Sequence, residues 1–169
     1  MGKFCCKSRG GKLIMRKFDV VKRFIEEMEN NKEKTIVFNM PERSTKNSAG
    51  YDFYNPTMVV CKSKEITMIP TGIKAEFPDD EVLLIFNRSS NPKKKGLVIP
   101  NGVGVIDADY YNNPDNEGEI AFLFYNMLEE DVVIKAGEKL GQGIFMKFAK
   151  VENDNVDNIR QGGFGSTGA

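Results

Sequence analysis

From residue 35 to residue 148 the chain is a succession of short apolar runs: TIVFNM, TMVVC, EITMI, GIKAEF, EVLLIF, GLVI, GVGVI, EIAFLFYNML, DVVIKAG and GIFMKF. They are rich in β-branched and aromatic residues, and glycine, proline and asparagine separate them. Many short strands with turn signals between them predict an all-β sandwich or barrel. One segment keeps a different period. In KFDVVKRFIEEMEN, Phe18, Val21, Phe24, Ile25 and Met28 recur at three- and four-residue spacing, which predicts one short amphipathic N-terminal helix. No internal repeat is present, and the one low-complexity stretch is the glycine-rich end, IRQGGFGSTGA.

A chain of 169 residues suffices for one domain, which should bury roughly 65–70% of the surface its unfolded form exposes. Lys plus Arg and Asp plus Glu both number 24, so no global field holds nucleic acid or an anionic membrane. Any anion binding has to be local. No run approaches the ~18 apolar residues of a membrane span, and the N-terminus lacks the continuous apolar core of a signal peptide. Cys5, Cys6 and Cys61 stand in no metal-ligand spacing, which argues against a disulfide framework or a zinc site and fits the reducing cytoplasm. Residues 1–17 carry Lys3, Lys7, Arg9, Lys12, Arg16 and Lys17 with no acid. They read as a solvated basic arm, followed by a single domain over 18–159 and a terminal arm over 160–169.

The chain contains no histidine. Ser-His-Asp and Cys-His machinery, histidine general bases and the usual zinc and iron ligand sets are thereby excluded. An enzyme built from this chain would take a carboxylate as its base.

Four segments read as loops with more chemistry than a turn needs. NRSSNPKKKG places Arg88, Ser89 and Ser90 after the apolar run EVLLIF, so a guanidinium fork, two hydroxyls and backbone amides emerge together as phosphate-binding equipment. For Lys93 and Lys95 alone a solvated basic turn is the better reading. In PNGVGVIDADYY, Gly102 and Gly104 let another molecule approach the backbone closely, ahead of Asp107 and Asp109. A plain hairpin turn at Asn101-Gly102, capped by the acids, explains the same residues equally well. EKLGQGIF sets Gln142 between two glycines inside an apolar run, where an amide needs a partner or a role, and SAGYDFY does the same for Asp52.

Taken together these segments resemble the trimeric dUTP pyrophosphatases (dUTPases), bacterial and phage-type members included. Their five ordered motifs are matched by AGYDFY, RSSNPKKKG, NGVGVIDADYY, GEKLGQGIF and RQGGFGSTG, over about residues 35–169. The resemblance implies a distorted jelly-roll barrel with a flexible C-terminal arm, a homotrimer with sites shared between subunits, and dUTP as substrate. Water attack at the α-phosphorus would give dUMP and pyrophosphate, which limits uracil in DNA and supplies dUMP for thymidylate synthesis. Asp107 would activate the water and touch the 3′-hydroxyl, with Gln142 helping to hold that water. Tyr110 would pack under the sugar and exclude a 2′-hydroxyl, while Asn101 and the backbone around Gly104 would read the uracil edge. Arg88, Ser89 and Ser90 would meet phosphate oxygens. Asp52 would act through water on a magnesium ion chelated by the triphosphate, with no direct protein ligand. The arm would close over a nucleotide bound between other subunits: Phe164 stacks on uracil, and Arg160, Gly165, Ser166 and Thr167 grip the γ-phosphate.

Three features depart from the commonest pattern. Arg160 and Phe164 are four residues apart where many members have five. YNNPDNE separates DADY from GEI as an inserted loop, and Lys139 and Gly141 stand where Arg and Ala are common, with packing consequences only. Two alternatives stay open: dCTP deaminase, a sibling on the same fold, and a regulatory protein on this scaffold that offers its basic arm and the YNNPDNEG loop to a partner.

Overall fold

The computed structural model of the chain describes residues 8–9, 12–13, 15–30, 35–156, 160 and 162. Over EVLLIFN, Glu81, Leu83 and Ile85 turn inward while the residues between them face out, the two-residue alternation of a strand with one covered face. AFLFYN repeats the pattern with Phe122, Phe124 and Asn126 inward. In chain order the strands are β1 (Ser8–Arg9), β2 (Lys12–Leu13), β3 (Lys17–Val20), β4 (Glu42–Arg43), β5 (Tyr51–Tyr54), β6 (Val59–Cys61) and β7 (Ile66–Pro70). They continue as β8 (Ile73–Glu76), β9 (Glu81–Asn87), β10 (Leu97–Val98), β11 (Gly104–Ile106), β12 (Ala121–Asn126), β13 (Val132–Ile134) and β14 (Lys139–Lys147). Helix α1 (Lys22–Asn30) follows β3, α2 (Ser90–Lys95) follows β9, and a 3₁₀ turn occupies Ala108–Tyr110.

A five-stranded sheet in the order β11-β9-β14-β5-β4 faces a three-stranded sheet, β10-β12-β7, and β13-β6 and β3-β8 add two-stranded ribbons. All these pairings are antiparallel. Phe53, Leu83, Ile85 and Leu140 from the larger sheet meet Ile69, Leu97, Phe122 and Phe124 from the smaller in one core, and the rings of Phe53 and Phe122 lie 5.7 Å apart. The all-β class expected from the runs is the class observed. Among the described residues no helix is long and apolar enough to cross a membrane.

Several local expectations change. The N-terminal helix does not begin at Phe18: Lys17–Val20 is a strand paired with β8, and the helix starts at Lys22. Phe18 is drawn into an aromatic cluster with Tyr51, Phe53 and Phe145, which wins over helical periodicity. The basic arm is therefore not solvated throughout. Arg16 pairs through two nitrogens with Glu81, which is only 3% exposed, and Lys17 binds Asp19 and Glu76. TIVFNM forms no strand, because Val37 makes a single backbone bond, to Pro56, and Phe38 docks on Phe24 and the core instead.

Two segments read as loops are strands. Asp52 lies on β5 and Gln142 on the nine-residue β14. Glycine serves packing here: a Cβ at Gly141 would lie 2.5 Å from the Phe86 carbonyl oxygen, and one at Gly143 2.9 Å from the Phe53 ring. NRSSNPKKKG is likewise no open turn, since Ser90–Lys95 is helical and ends on Gly96 at φ 60°, a left-handed cap that glycine adopts without cost. Lys95, read as solvated, pairs with Glu138. Asn101-Gly102 turns with Gly102 at φ 76°, but β10 and β11 on either side belong to different sheets and do not form a hairpin with one another.

Candidate active site

Polar groups gather at two places far apart on the five-stranded sheet. At the end of β9, Arg88, Ser89 and Ser90 emerge where α2 begins, and two asparagines fix that turn. Asn91 Nδ2 donates to Asn87 Oδ1 at 2.9 Å and to the Leu140 carbonyl at 2.7 Å, while Asn87 Nδ2 donates to the Leu97 carbonyl at 2.9 Å. Among the described residues nothing bonds the Arg88 guanidinium. It lines a cleft of about 220 Å³ with Ser90, Lys94, Lys95, Glu138 and Lys139, a site whose excess positive charge suits an anion.

Asp52 and Gln142 sit beside this cleft on the same sheet face, because the register aligns Phe86, Gln142 and Asp52 across β9, β14 and β5. The Gln142 amide lies over Gly50, where a Cβ would come within 3.0 Å of its Cδ. Asp52 Oδ2 accepts from Ser44 Oγ at 2.5 Å and from Lys139 Nζ at 2.6 Å. Lys139 also stands 5.8 Å over the Tyr54 ring. The packing role expected for Lys139 is thus corrected to an ion pair with a site carboxylate. Ser44 gave no sequence signal at all.

Burial by itself raises the Asp52 carboxyl, but the bonds from Lys139 and Ser44 and the charge of Arg88 outweigh it and hold the group below its usual range. A depressed carboxyl stabilises the fold above the unfolded value of 3.8, and that contribution fades as pH falls through the folded value. Lys139→Met is therefore expected to lower the melting temperature at pH 7 and to lower it progressively less as pH falls below the unfolded value of 3.8 and through the lower folded value, where Asp52 takes up its proton. Thermal melts of both proteins across that range check the sign.

Asp107 lies elsewhere. β11 pairs Gly104 with Ile85 and Ile106 with Leu83, so Asp107 comes level with Val82. At ~3.3 Å per residue that is ~20 Å along β9 from Arg88. Its backbone is extended (φ −81°, ψ 156°) and its side chain is half exposed. The following 3₁₀ turn carries Tyr110 into the core at 5% exposure. The Tyr110 hydroxyl donates to the Glu119 carbonyl at 3.1 Å and accepts from Asn116 Nδ2 at 2.7 Å. Asn101 and Gly102 are exposed, and a Cβ on Gly102 would meet nothing within 4 Å, which leaves the backbone open to another molecule.

Arg160 lies against carboxylates of its own chain. The resemblance sends it to the γ-phosphate of a nucleotide held between other subunits. Here its Nη2 donates to Asp107 at 2.5 Å and its Nε to Asp109 at 2.8 Å, and its guanidinium carbon lies 5.7 Å over the Tyr110 ring, all in the same chain. A planar fork takes the paired anions and aromatic face it can reach. Phe164, Gly165, Ser166 and Thr167 lie outside the described residues.

The profile of the dUTPase family matches residues 37–168. The deoxyuridine 5′-triphosphate nucleotidohydrolase of Lactococcus lactis subsp. lactis is 51% identical over 140 residues, covering 82% of this chain and 93% of the relative. That of Rickettsia felis is 36% identical over 136 residues, covering 76% and 88%. The crystal structure of dUTPase from Streptococcus mutans superposes with a TM-score of 0.69 at 42% identity, over 80% of this chain and 98% of that one. The jelly-roll-like architecture follows from that superposition, and these relatives do not favour the deaminase alternative. A chain matched over this much of its length, with carboxylate, guanidinium and glutamine spread over two ends of one sheet, belongs to the dUTPase family.

Proposed function

We infer that this chain hydrolyses dUTP to dUMP and diphosphate, with sites completed between the copies of a homotrimer. One observation carries the shared-site reading. Asp107 and the cationic end of β9 are ~20 Å apart along a rigid sheet, too far for one nucleotide to touch both through a single chain. A second copy closes the gap if its Arg88 end faces the Asp107 of the first. The face between them supports this: Val82, Leu84, Val105, Ile144 and Met146 align across β9, β11 and β14, with Val105 60% exposed. Apolar surface of that kind is ordinarily covered by a partner.

In the assembled site Asp107 takes a proton from the attacking water and Gln142 orients that water, the α-phosphorus reacting without a covalent intermediate. Arg88, Ser89 and Ser90 hold phosphate oxygens, and the charge on the departing diphosphate is spread over this guanidinium and the neighbouring lysines. Arg160 exchanges the carboxylates of Asp107 and Asp109 for phosphate oxygens as substrate enters, which frees Asp107 for the water. The buried Tyr110 ring walls the sugar, and Asn101 with the open backbone near Gly104 meets the uracil edge.

Among the described residues no cluster of acidic or cysteine side chains is arranged to bind a metal ion. Asp52 fits the lesser role of bonding water on Mg²⁺ that the triphosphate carries, since both its protein bonds fall on Oδ2 and leave Oδ1 open. When bound, Mg²⁺ neutralises charge on the phosphates.

The test is purified protein with Mg²⁺ and each of dUTP, dCTP, dTTP and UTP, with nucleotide and diphosphate products identified. dUTP should be split, and the others should react more slowly by up to ~10⁴, since mismatched edges leave buried polar groups unpaired. Comparable hydrolysis of dCTP or UTP would overturn the assignment.

A further inference from the structure

The seven-residue insertion Tyr111–Glu117 is packed as a self-bonded unit around two asparagines. Asn113 is buried, and its Nδ2 donates to the Tyr110 carbonyl at 2.9 Å and to Asn116 Oδ1 at 2.8 Å. Its Oδ1 accepts from the amides of Asp115 and Asn116. Asn116 Oδ1 also accepts from the Gly118 amide at 3.1 Å, and its Nδ2 donates to the Tyr110 hydroxyl at 2.7 Å. Gly118, at φ 83°, sits so close that a Cβ would come within 2.9 Å of Tyr111 Cα.

The far side of the insertion is anchored on the N-terminal segment and β8. Glu117 accepts from the Lys22 amide at 3.0 Å, where α1 begins, and from Lys74 Nζ at 3.2 Å. Lys74, with a side chain only 8% exposed, also donates to Asn112 Oδ1 at 2.6 Å and lies 5.3 Å over the Tyr111 ring. The Tyr111 hydroxyl donates to Asp19 on β3. From α1 the bonds thus run through Glu117, whose amide donates to the Asn113 carbonyl at 3.0 Å, and through Asn113 to Asn116 and the hydroxyl of Tyr110, while β3 holds the insertion at Tyr111.

We propose that this insertion is a brace in which Asn116 is a positioning residue: it fixes the Tyr110 ring against the sugar and so sets the enzyme's preference for deoxyribose over ribose. The proposal rests on the reading of Tyr110 as the sugar wall. A ring held through its hydroxyl from both sides cannot tilt away from an added 2′-hydroxyl, whereas a ring released at one side can. Asp107, three residues earlier, meets this unit only through its backbone carbonyl, which accepts from the Tyr110 amide at 3.1 Å, and its carboxylate keeps its role in the chemical step.

The experiment compares kcat/KM for dUTP and UTP in wild type, Asn116→Ala, Tyr110→Phe and the double variant, with a thermal melt of each. The dUTP to UTP ratio should fall about 3- to 10-fold in Asn116→Ala, mostly through KM for dUTP and faster UTP cleavage, as expected for loss of one neutral hydrogen bond. Tyr110→Phe, which loses the bond to the Glu119 carbonyl as well, should show at least the same fall, and the double variant none beyond that of Tyr110→Phe, because both single changes remove the bond between Asn116 and Tyr110. Glu117→Ala, which touches only the anchor, should move the ratio in the same direction by about 2-fold. A merely structural role lowers the active fraction for both substrates and leaves the ratio where it was; that result overturns the brace. If Asn116→Ala does not fold, Tyr110→Phe decides alone, and retained discrimination there overturns it equally. Wild-type protein that fails to prefer dUTP over UTP refutes the sugar-wall reading itself, an outcome visible before any variant is measured.

Discussion

Asp107→Asn is expected to lower dUTP turnover by roughly 10²–10⁴ while leaving nucleotide affinity within a few-fold, because it removes proton acceptance and preserves shape. The local structure makes this a clean substitution. Asp107 makes no capping bond to the 3₁₀ turn that follows it, so its carboxylate does not hold the backbone in place. Its one described side-chain partner is Arg160, which keeps Asp109 at 2.8 Å after the change. Loss of turnover without loss of melting temperature therefore reports the proton acceptor and not the fold. Steady-state rates paired with a binding isotherm for a non-hydrolysed dUTP analogue make the separation. Turnover within ten-fold of wild type would move the base elsewhere, with Asp109, which shares Arg160 with Asp107, the next carboxylate to test.

What could be read from the sequence divides along the range of the forces involved. Alternation in EVLLIFN and AFLFYN is a local signal, and both segments are strands with the inward residues in one core. Phe18 shows where local signals lose: its spacing from Val21 and Phe24 is helical, yet three aromatic rings distant in sequence claim it for β3. Glycine misled at Gly141 and Gly143, because a residue that punctuates loops also occurs where two layers press too closely for a side chain. At the site, the chemical types of Asp52, Arg88, Asp107 and Gln142 were legible, since few residues can supply a base or a guanidinium fork. Their separation was not legible, because it follows from the β11-β9 register, which no single segment encodes. Lys139 and Asn116 were missed as working residues for a related reason. Each acts through one partner, Asp52 or Tyr110, that only the fold brings near.

That separation leads to the other large effect, regained activity from two inactive proteins. Arg88→Ala should be as damaging as Asp107→Asn is, or nearly so, because several charge-assisted phosphate contacts worth about 1.5–3 kcal/mol each disappear with the guanidinium. In a ring of three identical chains, each site would take Asp107 from one copy and Arg88 from the next. A mixed trimer of the two variants then contains one place where an intact Asp107, from an Arg88→Ala chain, meets an intact Arg88, from an Asp107→Asn chain. The other two sites carry a defect. Random reassembly of equal amounts makes three quarters of the trimers mixed, so the mixture should recover about a quarter of wild-type activity, far above either parent. The readout is the rate after dissociation and reassembly, compared with the same proteins combined without it. If both groups served one nucleotide within a single chain, reassembly would change nothing, since every chain would still carry its own defect. Activity that stays at the mean of the two parents, in trimers verified as mixed, would therefore eliminate the shared site and require the sheet to bend through ~20 Å to bring its own ends together.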